Sequence, residues 1–481
     1  MRHRGSLRET EPSLRRRAGR SAMARSPRPA TGLLILALGI LSAPLDTAVN
    51  IALPNITTAF ALHVQDIRWV VIAYVLTYAS LMLVFGRLGD LLGYRPMFQL
   101  GLLVSAAGFA ACASAPSYRL LLLGRMLQGV GIALTLSCAP ALAISLYDER
   151  DRTRALGIYA AIHAAGSALG PLIGGYLVDC CAWPAVFWSR VPLVLAALAL
   201  SWLLAAAPNA GSMRRFDAPG AALLVAWMSA LLLAFSIGSE PFGRALPIAL
   251  ALLALLAFAA FLMREVHLPQ PLIRLALFRD YRFAAMNVAS IALNLAAFGV
   301  LLLVPYYLVR IAHLNTAIGG MVLACGAAGA VAGAWLAGTL AAHVSVGRLA
   351  LTGVILGIAG LWAVSMWTPD TALAIVGLSL LAQGLGVGLF QVAYADLVVA
   401  TLPPTDRGVA GSLTIVTRTL GVVGGATALS AAFQYFEATA ASAGVPAAQA
   451  FLGAFQATFL YAASALALCL VCSLLRPRMW V

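Results

Sequence analysis

The segment 119–146 reads RLLLLGRMLQGVGIALTLSCAPALAISL and is apolar over almost its whole length, apart from Arg119 and Arg125. A helix of about 20 apolar residues crosses the roughly 30 Å hydrocarbon core of a bilayer. Similar runs follow one another from Thr31 to Leu475 with short polar gaps. A buried core helix could explain one such run but not the series, and none alternates like a barrel strand. We therefore predict an all-α polytopic membrane protein.

Charged residues are few in this chain, and most of them are positive. Charged residues make up 10% and hydrophobic residues 62% of the 481 positions, whereas about 25% of the residues of a soluble domain are charged. Lys plus Arg number 31 against 17 Asp plus Glu, no lysine occurs, and the net charge is +14. Such a charge could attract nucleic acid, but an excess of Arg on one side of a membrane explains it. We predict a monomer whose partners are the lipid bilayer and a small-molecule substrate, and no nucleic acid.

Cysteine usage and missing motifs narrow the class of function. The seven cysteines show no metal-ligand spacing and lie mostly inside apolar runs, as small buried hydrophobes do. The sequence contains no Gly-rich phosphate loop that ends in Lys-Ser or Lys-Thr. A membrane enzyme would need carboxylates or histidines clustered at one membrane face, and the sequence shows no such cluster. We predict no metal, no organic cofactor and no enzymatic activity.

Fourteen apolar spans are predicted. With the basic N-terminal segment inside, about 24 of the 31 Arg fall on the inner side and about five outside, so the positive-inside rule places both termini in the cytoplasm. Removing or adding one span would scatter these charges over both faces. The predicted spans are 31–53, 69–88, 96–115, 119–146, 155–178, 187–207, 219–238, 246–264, 283–309, 316–340, 348–367, 372–397, 408–433 and 451–475.

Segments in the first part of the sequence are similar to segments in the last part. Gly86–Arg95 has a degraded counterpart at Gly338–Arg348, and Arg154–Gly157 resembles Arg407–Gly411. Parallel repeats of this kind are typical of transporters whose two bundles face each other across a midplane cavity. We predict a basic disordered cytoplasmic tail (1–30), an N-terminal six-helix bundle (31–207), an inserted central helix pair (208–268), a C-terminal six-helix bundle with its inner linker (269–476) and a short cytoplasmic tail (477–481).

Asp46 is the acidic residue placed deepest in any predicted span. A carboxylate in hydrocarbon costs several kcal/mol unless it is paired, protonated or hydrated. Asp46 lies about eight residues before the outer end of its span, or roughly 12 Å deep, and Arg125 lies at about the same depth. We predict that the two charges meet in the N-terminal bundle, where substrate or conformation modulates the protonation of Asp46. A permanent ion pair that only fixes helix packing is the alternative.

Other polar residues within spans are candidates to line a cavity. Arg418 lies near the middle of its span and must face protein or water, with Asp396 as one candidate partner. A histidine such as His163 could titrate near neutral pH, but a lone His in a helix is more often a packing residue, and packing is an equal alternative for the glutamines. The cavity candidates are Asn50, Tyr74, Tyr78, Gln128, His163, Asn294, Gln383, Gln391 and Arg418.

Two glycine-rich segments are predicted to act in conformational change. One removes side chains from a helix face and permits close approach between moving helices; its residues are Gly166, Gly170, Pro171 and Gly174. The other is the loop after the second span, where fixed glycines and a carboxylate can hold a neighbouring helix N-terminus and then release it. A plain solvated loop is the alternative. The inner-gate candidates are Gly86, Asp90, Gly93 and Arg95.

Together these segments resemble the major facilitator superfamily, and in particular its fourteen-helix drug:proton antiporter branch. The segment 86–95 is similar to the inner-gate signature of the family, 124–131 to its helix-four motif with the proton-coupling Arg, and 166–175 to its helix-five antiporter motif. The likeness extends over nearly everything after residue 30. Further similar segments are 45–54, 68–74, 271–278 and 407–425.

The sequence departs from the family pattern in three places. The helix-one motif is one residue shorter between Asp46 and Asn50, and Leu91 stands where a basic residue is common. Pro184 and Arg190 replace the usual Arg and Asn of the outer segment of helix six. These changes indicate a divergent subgroup.

The resemblance implies a function. It implies export of small amphipathic molecules or drugs across the cytoplasmic membrane of a bacterium by alternating access, with the proton as the coupling ion and with Asp46 and Arg125 as the coupling residues. Import or symport of a small metabolite is an alternative, and so is a membrane sensor that has kept the transporter fold, because a fold does not fix a function.

Overall fold

The computed structural model describes residues 29–64, 66–145, 152–204, 218–236, 245–267, 280–341, 343–401 and 407–475. The predicted basic tail lies outside these residues except for its last two, which begin the first helix, and the predicted C-terminal tail lies outside them entirely. All regular structure in the described residues is helical.

The helices follow the apolar spans closely. Among the described residues, nine helices are each long and apolar enough to cross a membrane, and α1 and α2 together form a tenth such stretch, Thr31–Ala59. The apolar stretches Arg68–Met82 and Ala185–Ser201 are shorter. The helices are α1 (Pro29–Leu41), α2 (Thr47–Ala59), α3 (Arg68–Leu92), α4 (Tyr94–Ala113), α5 (Tyr118–Ser145), α6 (Arg152–Cys181), α7 (Ala185–Trp188), α8 (Arg190–Ser201), α9 (Ala218–Ser236), α10 (Ala245–His267), α11 (Tyr281–Arg310), α12 (Thr316–Leu340), α13 (Val346–Ser365), α14 (Leu373–Thr401), α15 (Arg407–Ser442) and α16 (Ala447–Leu474).

The first predicted span is broken rather than continuous. A 3₁₀ turn over Pro44–Asp46 separates α1 from α2. Proline has no amide hydrogen, and its ring clashes with the carbonyl four residues earlier, so the α-helical hydrogen bonding stops there. The apolar run also continues as helix to Ala59, six residues beyond the predicted end. Asp46 therefore sits in the middle of a broken span and not eight residues from its end.

The segment predicted as a loop after the second span is mostly helix. Helix α3 continues to Leu92, and α4 begins at Tyr94, so Gly93 alone joins them. Its φ of 97° and ψ of 138° lie in a region that only glycine adopts readily. The expectation of a loop over residues 86–95 is therefore wrong, and the turn consists of one residue.

Helices α1 to α8 form an N-terminal set. Helix α5 packs along α3 and α4, and α8 packs against α1 and α4. Small residues permit the closest contacts: a Cβ built on Gly108 would lie 2.5 Å from the backbone N of Gln128, and one on Gly131 would touch Ser105. Backbones are thus in contact along most of the α4–α5 interface.

Helices α11 to α16 form a C-terminal set, and α9 with α10 lies between the two sets in sequence. Helix α14 packs along α12 and α13, while α11 packs along α15. Helices α9 and α10 pack mainly on each other, with the rings of Trp227 and Phe258 stacked at 4.7 Å, and α9 also contacts α3 and α15.

The described hydrogen bonds between the two sets lie at one end, where α2, α6 and α11 finish and α12 begins. Thr57 is hydrogen-bonded to Tyr306, and the carboxylate of Asp179 accepts the backbone N–H groups of Thr316 and Ala317 at 3.0 and 3.1 Å. A carboxylate at a helix N-terminus satisfies amides that have no partner within the helix. We call the region defined by Thr57, Asp179, Tyr306 and Thr316 the closed end.

Candidate functional site

Asp46 and Arg125 meet as the sequence predicts. Arg125 Nη1 donates to Asp46 Oδ1 and Arg125 Nη2 donates to Asp46 Oδ2, both at 2.7 Å. Two parallel bonds of this kind are the strongest arrangement open to an Arg and a carboxylate. The Arg125 side chain is fully buried, and that of Asp46 is 11% exposed.

The sequence interpretation missed the second cation of this site. Arg190, at the start of α8, donates from Nη1 to Asp46 Oδ1 at 2.7 Å and is 3% exposed. The positive-inside count places Arg190 among the five Arg residues of the outer side, because it stands close to the start of a predicted span. The one available signal was the departure from the family pattern at this position, where Asn is usual.

Further contacts fix the two guanidinium groups. Gln128 Nε2 donates to Asp46 Oδ1 at 2.9 Å, and Arg125 Nη1 donates to Gln128 Oε1 at 2.7 Å. Arg125 Nε donates to the carbonyl of Val70 at 2.8 Å, and its guanidinium lies 4.3 Å from the ring centroid of Tyr74. The cavity candidates Gln128 and Tyr74 are therefore parts of the charged cluster.

The cluster carries an excess positive charge, because one carboxylate balances two guanidinium groups. Arg190 also lies over the rings of Phe109 and Phe187, at 4.8 and 5.4 Å, while its Nη2 has no hydrogen-bond partner among the described residues. Aromatic faces attract cations, but a buried unpaired donor is costly. The cluster thus depends on a single carboxylate, and protonation of that group would leave two buried cations facing each other.

The glycines of α6 hold the segment that carries Asp46. A Cβ built on Gly166 would lie 2.6 Å from Pro44 Cγ, one on Gly170 would collide with Thr47 Oγ1, and one on Gly174 would lie 2.7 Å from Ala48 Cβ. The neighbouring face of the same helix meets α12: a Cβ on Gly175 would lie 2.5 Å from the carbonyl of Thr316, and a Cβ on Gly320 would collide with the carbonyl of Pro171. Helix α6 therefore touches both the charged segment and the other set.

A buried polar network occupies the C-terminal set. Tyr394 donates to Asn287 Oδ1 at 2.8 Å and is 3.1 Å from the hydroxyl of Thr417. Gln391 Nε2 donates to Asn294 Oδ1 at 3.2 Å, so two of the cavity candidates are direct partners. Tyr394, Asn287 and Thr417 were not among the candidates, because tyrosine, asparagine and threonine within apolar spans carry no spacing signal of their own.

Arg418 lies where the two sets face each other. Its side chain is exposed, although it stands within a predicted span. It interacts electrostatically with Tyr78 on α3 and with His163 on α6, both of which are half-buried residues of the N-terminal set. Within the described part of the chain, no carboxylate forms a salt bridge with it. Because α15 packs against α3, Arg418 and Tyr78 lie on contacting helices of the two sets.

Other candidates lie apart from this group. Gln383 is buried inside the C-terminal set, with its Cβ against Gly360 of α13, and Asn50 is buried in α2 one turn after Asp46. Asp396 is exposed on α14, five residues before the helix ends.

The inner-gate candidates lie at the turn between α3 and α4. Arg95 Nη2 donates to the carbonyl of Trp202 at 2.7 Å, and its guanidinium lies 5.8 Å from the Trp202 ring, so it binds the end of α8 within its own set. Gly86 lies in α3, and Gly93 forms the turn. The side chain of Asp90 lies outside the described residues.

A cavity lies between the sets at the closed end. It is lined by Leu62, His63, Val64, Arg310, Phe433 and Glu437. Glu437 lies beyond the predicted end of its span; burial raises the pKa of its carboxyl, and the charges of Arg310 and His63 oppose this rise. In the part of the chain that the structure describes, no three potential metal ligands cluster.

The sequence matches the Major Facilitator Superfamily over residues 35–426. It is 31% identical over 398 residues to the methylenomycin A resistance protein of Bacillus subtilis, covering 82% of this chain and 85% of the relative. It is 27% identical over 403 residues to the riboflavin transporter RibZ of Clostridioides difficile, covering 83% and 87% of the two chains.

The fold is also found among solved structures. A bacterial homologue of the human lysosomal transporter Spinster, in an inward-facing and unoccupied conformation, superposes with a TM-score of 0.68 at 16% identity. The superposition covers 95% of this chain and 97% of that one. At this level of identity the likeness concerns the arrangement of the helices.

Proposed function

Because the chain belongs to the major facilitator superfamily, and is therefore a multi-pass membrane transporter rather than an enzyme, we propose that it exports small amphipathic molecules or drugs in exchange for protons. In this proposal it belongs to the fourteen-helix antiporter branch and has two six-helix bundles and an inserted central pair, α9 and α10. The protein lies as a monomer in the cytoplasmic membrane of a bacterium, with both termini in the cytoplasm and the closed end outside.

The observation that carries the proposal is the buried Asp46 cluster. Titratable carboxylates inside membrane proteins are rare and costly, and they mark functional sites such as proton relays. Asp46 sits in a break of the helical backbone and is held by Arg125 and Arg190 at 2.7 Å. Protonation of Asp46 removes the charge that both cations share, so the site has two electrostatic states.

The α6 glycines link these two states to movement. Gly166, Gly170 and Gly174 pack on the 3₁₀ turn and the start of α2, while Gly175 packs on α12 of the other set. A change at Asp46 therefore acts on a helix that also forms the contact between the sets. Contacts of small residues allow such helices to slide with little steric resistance. Alternating access follows if the closed end opens when Asp46 changes its charge.

The residues at the turn between α3 and α4 complete the proposal. We assign Gly86, Asp90, Gly93 and Arg95 to an inner gate, because they lie at the membrane face opposite the closed end. We assign some of the polar candidates to the lining of a cavity between the sets. They are Tyr78, His163, Asn294, Gln391 and Arg418. Asn50 and Gln383 are assigned supporting positions behind it.

Export is favoured over import because the chain is similar to a protein named for methylenomycin A resistance, and export of a toxic compound is one way in which a membrane transporter confers resistance. Import or symport of a small metabolite is the second candidate, and it is supported by the similarity to a riboflavin transporter. The direction of transport distinguishes the two candidates.

The test is uptake into everted membrane vesicles with a panel of lipophilic cations, dyes and amphipathic metabolites. We expect accumulation of at least one compound that is driven by an imposed pH gradient and does not require ATP. Asp46→Asn and Arg125→Ala should abolish the gradient-driven part, while Asp370→Asn, a carboxylate on an exposed turn, should leave it intact. ATP-driven accumulation without a gradient, or full activity in both cluster variants, contradicts the proposal.

A further inference from the structure

The central region between the sets has a positive charge. Among the described residues, the charged side chains of the buried cluster are Asp46, Arg125 and Arg190, and Arg418 is an exposed cation within a predicted span of the C-terminal set. One negative charge therefore stands against three positive ones. Asp396 is exposed on α14, five residues before that helix ends, and forms no salt bridge with these groups in the described residues. A ligand between the sets experiences a positive field, and low-dielectric walls strengthen such a field.

The carboxylate of Asp46 is already occupied. Its Oδ1 accepts hydrogen bonds from Arg125, Arg190 and Gln128, and its Oδ2 accepts one from Arg125. Together the two oxygens have about four lone-pair positions, and four hydrogen bonds reach them, three at Oδ1 and one at Oδ2. Asp46 is thus a poor counter-ion for a cationic substrate, which would have to displace a guanidinium first.

Arg418, in contrast, is exposed on α15, and α15 packs against α3, the helix of the N-terminal set that carries Tyr78. It is exposed within a span, no described carboxylate forms a salt bridge with it, and its charge acts on His163 and Tyr78 of the opposite set. A guanidinium is always charged and presents a planar fork that matches a carboxylate or a phosphate. An exposed Arg in this place is a ready partner for an anionic group.

The surroundings suit the rest of an amphipathic molecule. The half-buried ring of Tyr78, which lies 5.2 Å from the buried ring of Tyr74, provides an aromatic surface on the N-terminal side. On the C-terminal side, the amides of Gln391 and Asn294 form a polar pair on helices that pack against each other. Aromatic walls with a few polar groups are typical of small-molecule sites.

We propose that the substrates of this transporter are amphipathic anions with one carboxylate or a similar group, bound through Arg418, and that lipophilic cations are excluded by the positive charge of the central region. This inference rests on the proposed export function and specifies its substrate class.

The charge of the substrate has an electrical consequence. One proton moving inward while one monoanion moves outward transfers two positive charges inward, whereas exchange of a proton for a monocation transfers none. A membrane potential does work on each transferred charge. Export of a monoanion is therefore driven by the potential even without a pH gradient, and export of a monocation by one proton is not.

The test uses purified protein in proteoliposomes and three probes of similar size and apolar part that are anionic, neutral and cationic: 4-phenylbutyrate, 4-phenylbutyramide and 4-phenylbutylamine, with the corresponding eight-carbon series. We expect binding and potential-driven transport of the carboxylates and neither for the amines. Arg418→Gln should weaken carboxylate binding roughly tenfold to a hundredfold, which is the usual effect of losing a charge-assisted contact. Arg418→Lys should restore part of it.

The control variant is Arg119→Gln, which removes an exposed Arg outside the central region and should leave carboxylate binding unchanged. Preferred binding of the amines, binding of none of the probes, or equal binding of carboxylates to wild type and Arg418→Gln overturns the inference. Failure of this inference can be distinguished from failure of the proposed function. If the vesicle panel shows gradient-driven export of cations, export stands and only the anionic class is wrong.

Discussion

Asp46 is stable as an ion in the protein interior because its partners supply what water would supply. Burying a charge costs several kcal/mol, and good geometry with every lone pair satisfied offsets that cost. Arg125 and Arg190 each lie 2.7 Å from an Asp46 oxygen. Removing one partner of such a pair typically costs about 3–5 kcal/mol because the other charge is left unpaired. With two cations on one carboxylate, however, loss of one cation leaves a complete pair.

Because Arg125 remains paired with Asp46 when Arg190 is removed, the effect of Arg190→Gln can be predicted. An opposite charge within about 4–6 Å favours the ionised form of a carboxylate, so without Arg190 the proton leaves Asp46 less readily. We expect the variant to fold and to transport, with the pH of half-maximal transport moved upward by roughly one unit. The measurement is gradient-driven uptake into vesicles over a range of pH.

The comparison for this prediction is Arg125→Gln, which removes the bidentate partner and should lose most transport at every pH. A profile for Arg190→Gln that coincides with that of the wild type would show that the second cation has no part in proton binding.

At this scale the sequence predicts one half of the cluster. Asp46 and Arg125 could be paired because helix geometry converts positions in a span into depth. Arg190 could not be placed, since a short helical turn over Ala185–Trp188 precedes it and sets the direction of its side chain. Depth along a span does not determine which neighbour a long side chain reaches.

The helical elements explain how a local charge acts over a distance. The break at Pro44–Asp46 frees the start of α2 from the hydrogen bonding of α1. Glycines of α6 hold this segment on one side, and on the other side α6 meets α12. Because the glycines of α6 place no side chain of their own in these contacts, we expect a shift of the broken segment to reach the contact between the sets through α6.

Gly170→Ala tests this contact. The added methyl group would collide with Thr47 Oγ1, and overpacking of a tight contact typically costs about 1–3 kcal/mol. We expect lower transport at normal membrane levels of protein. The second change Thr47→Ala removes the colliding hydroxyl and should restore part of the activity.

Gly453→Ala is the matched change at a helical glycine where the new methyl group meets nothing within 4 Å, and we expect wild-type transport. If Gly170→Ala and Gly453→Ala are equally active, close packing of α6 on the broken segment is not needed for transport.

Gly93→Ala tests the turn between α3 and α4. Because the φ of Gly93 is 97°, a side chain there costs about 1–3 kcal/mol of backbone strain. We expect a lower midpoint of thermal unfolding in detergent. Gly338→Ala is the comparison, since a Cβ at that position has no other atom within 4 Å. An unchanged midpoint for Gly93→Ala would show that the turn adapts.

Apolar runs predict the helices well and their ends less well. The first predicted span ends at residue 53, yet α2 continues through Pro54, Asn55, Thr57 and Thr58 to Ala59. Thr57 and Thr58 bond their hydroxyls to carbonyls of the preceding turn, and Thr57 also meets Tyr306. A hydrogen-bond partner in another helix offsets the cost of burying a polar residue, and the sequence of one span does not reveal that partner.

The whole molecule is closed at one end by contacts between the two sets. The carboxylate of Asp179 holds the N-terminus of α12, and the glycines of α6 and α12 bring the backbones together. Interfaces of this kind are bistable, because a packed contact is either made or broken. Repeats in the sequence predict two facing sets, whereas the contacts that join them arise only from the assembled helices.

Asp179→Ala should destabilise the closed end. The two N–H groups of Thr316 and Ala317 lose a charged acceptor, and hydrogen bonds to charged groups contribute about 1.5–3 kcal/mol. The native cysteines that are exposed or half-buried, Cys180, Cys181, Cys325, Cys469 and Cys472, are first replaced by Ser, because they would also take the label. Spin labels at Ser114→Cys and Ala443→Cys, on opposite sets at this end, then report the opening. We expect label-to-label distances that are longer by several Å in double electron–electron resonance, about the 5.4 Å of one helical turn.

Asp370→Ala, on an exposed turn, is the comparison for the label measurement and should leave the distances unchanged. A distance distribution for Asp179→Ala equal to that of the wild type would show that the glycine contacts alone keep this end closed.

The central claim is that Asp46 carries the proton that is exchanged for substrate. Proteoliposomes with a pH indicator inside, given an outward gradient of the compound that vesicles accumulate best and no pH gradient, measure this exchange directly. The wild type should move protons against the compound, while Asp46→Asn should still exchange labelled for unlabelled compound without moving protons. Proton movement of wild-type size in Asp46→Asn would contradict the claim.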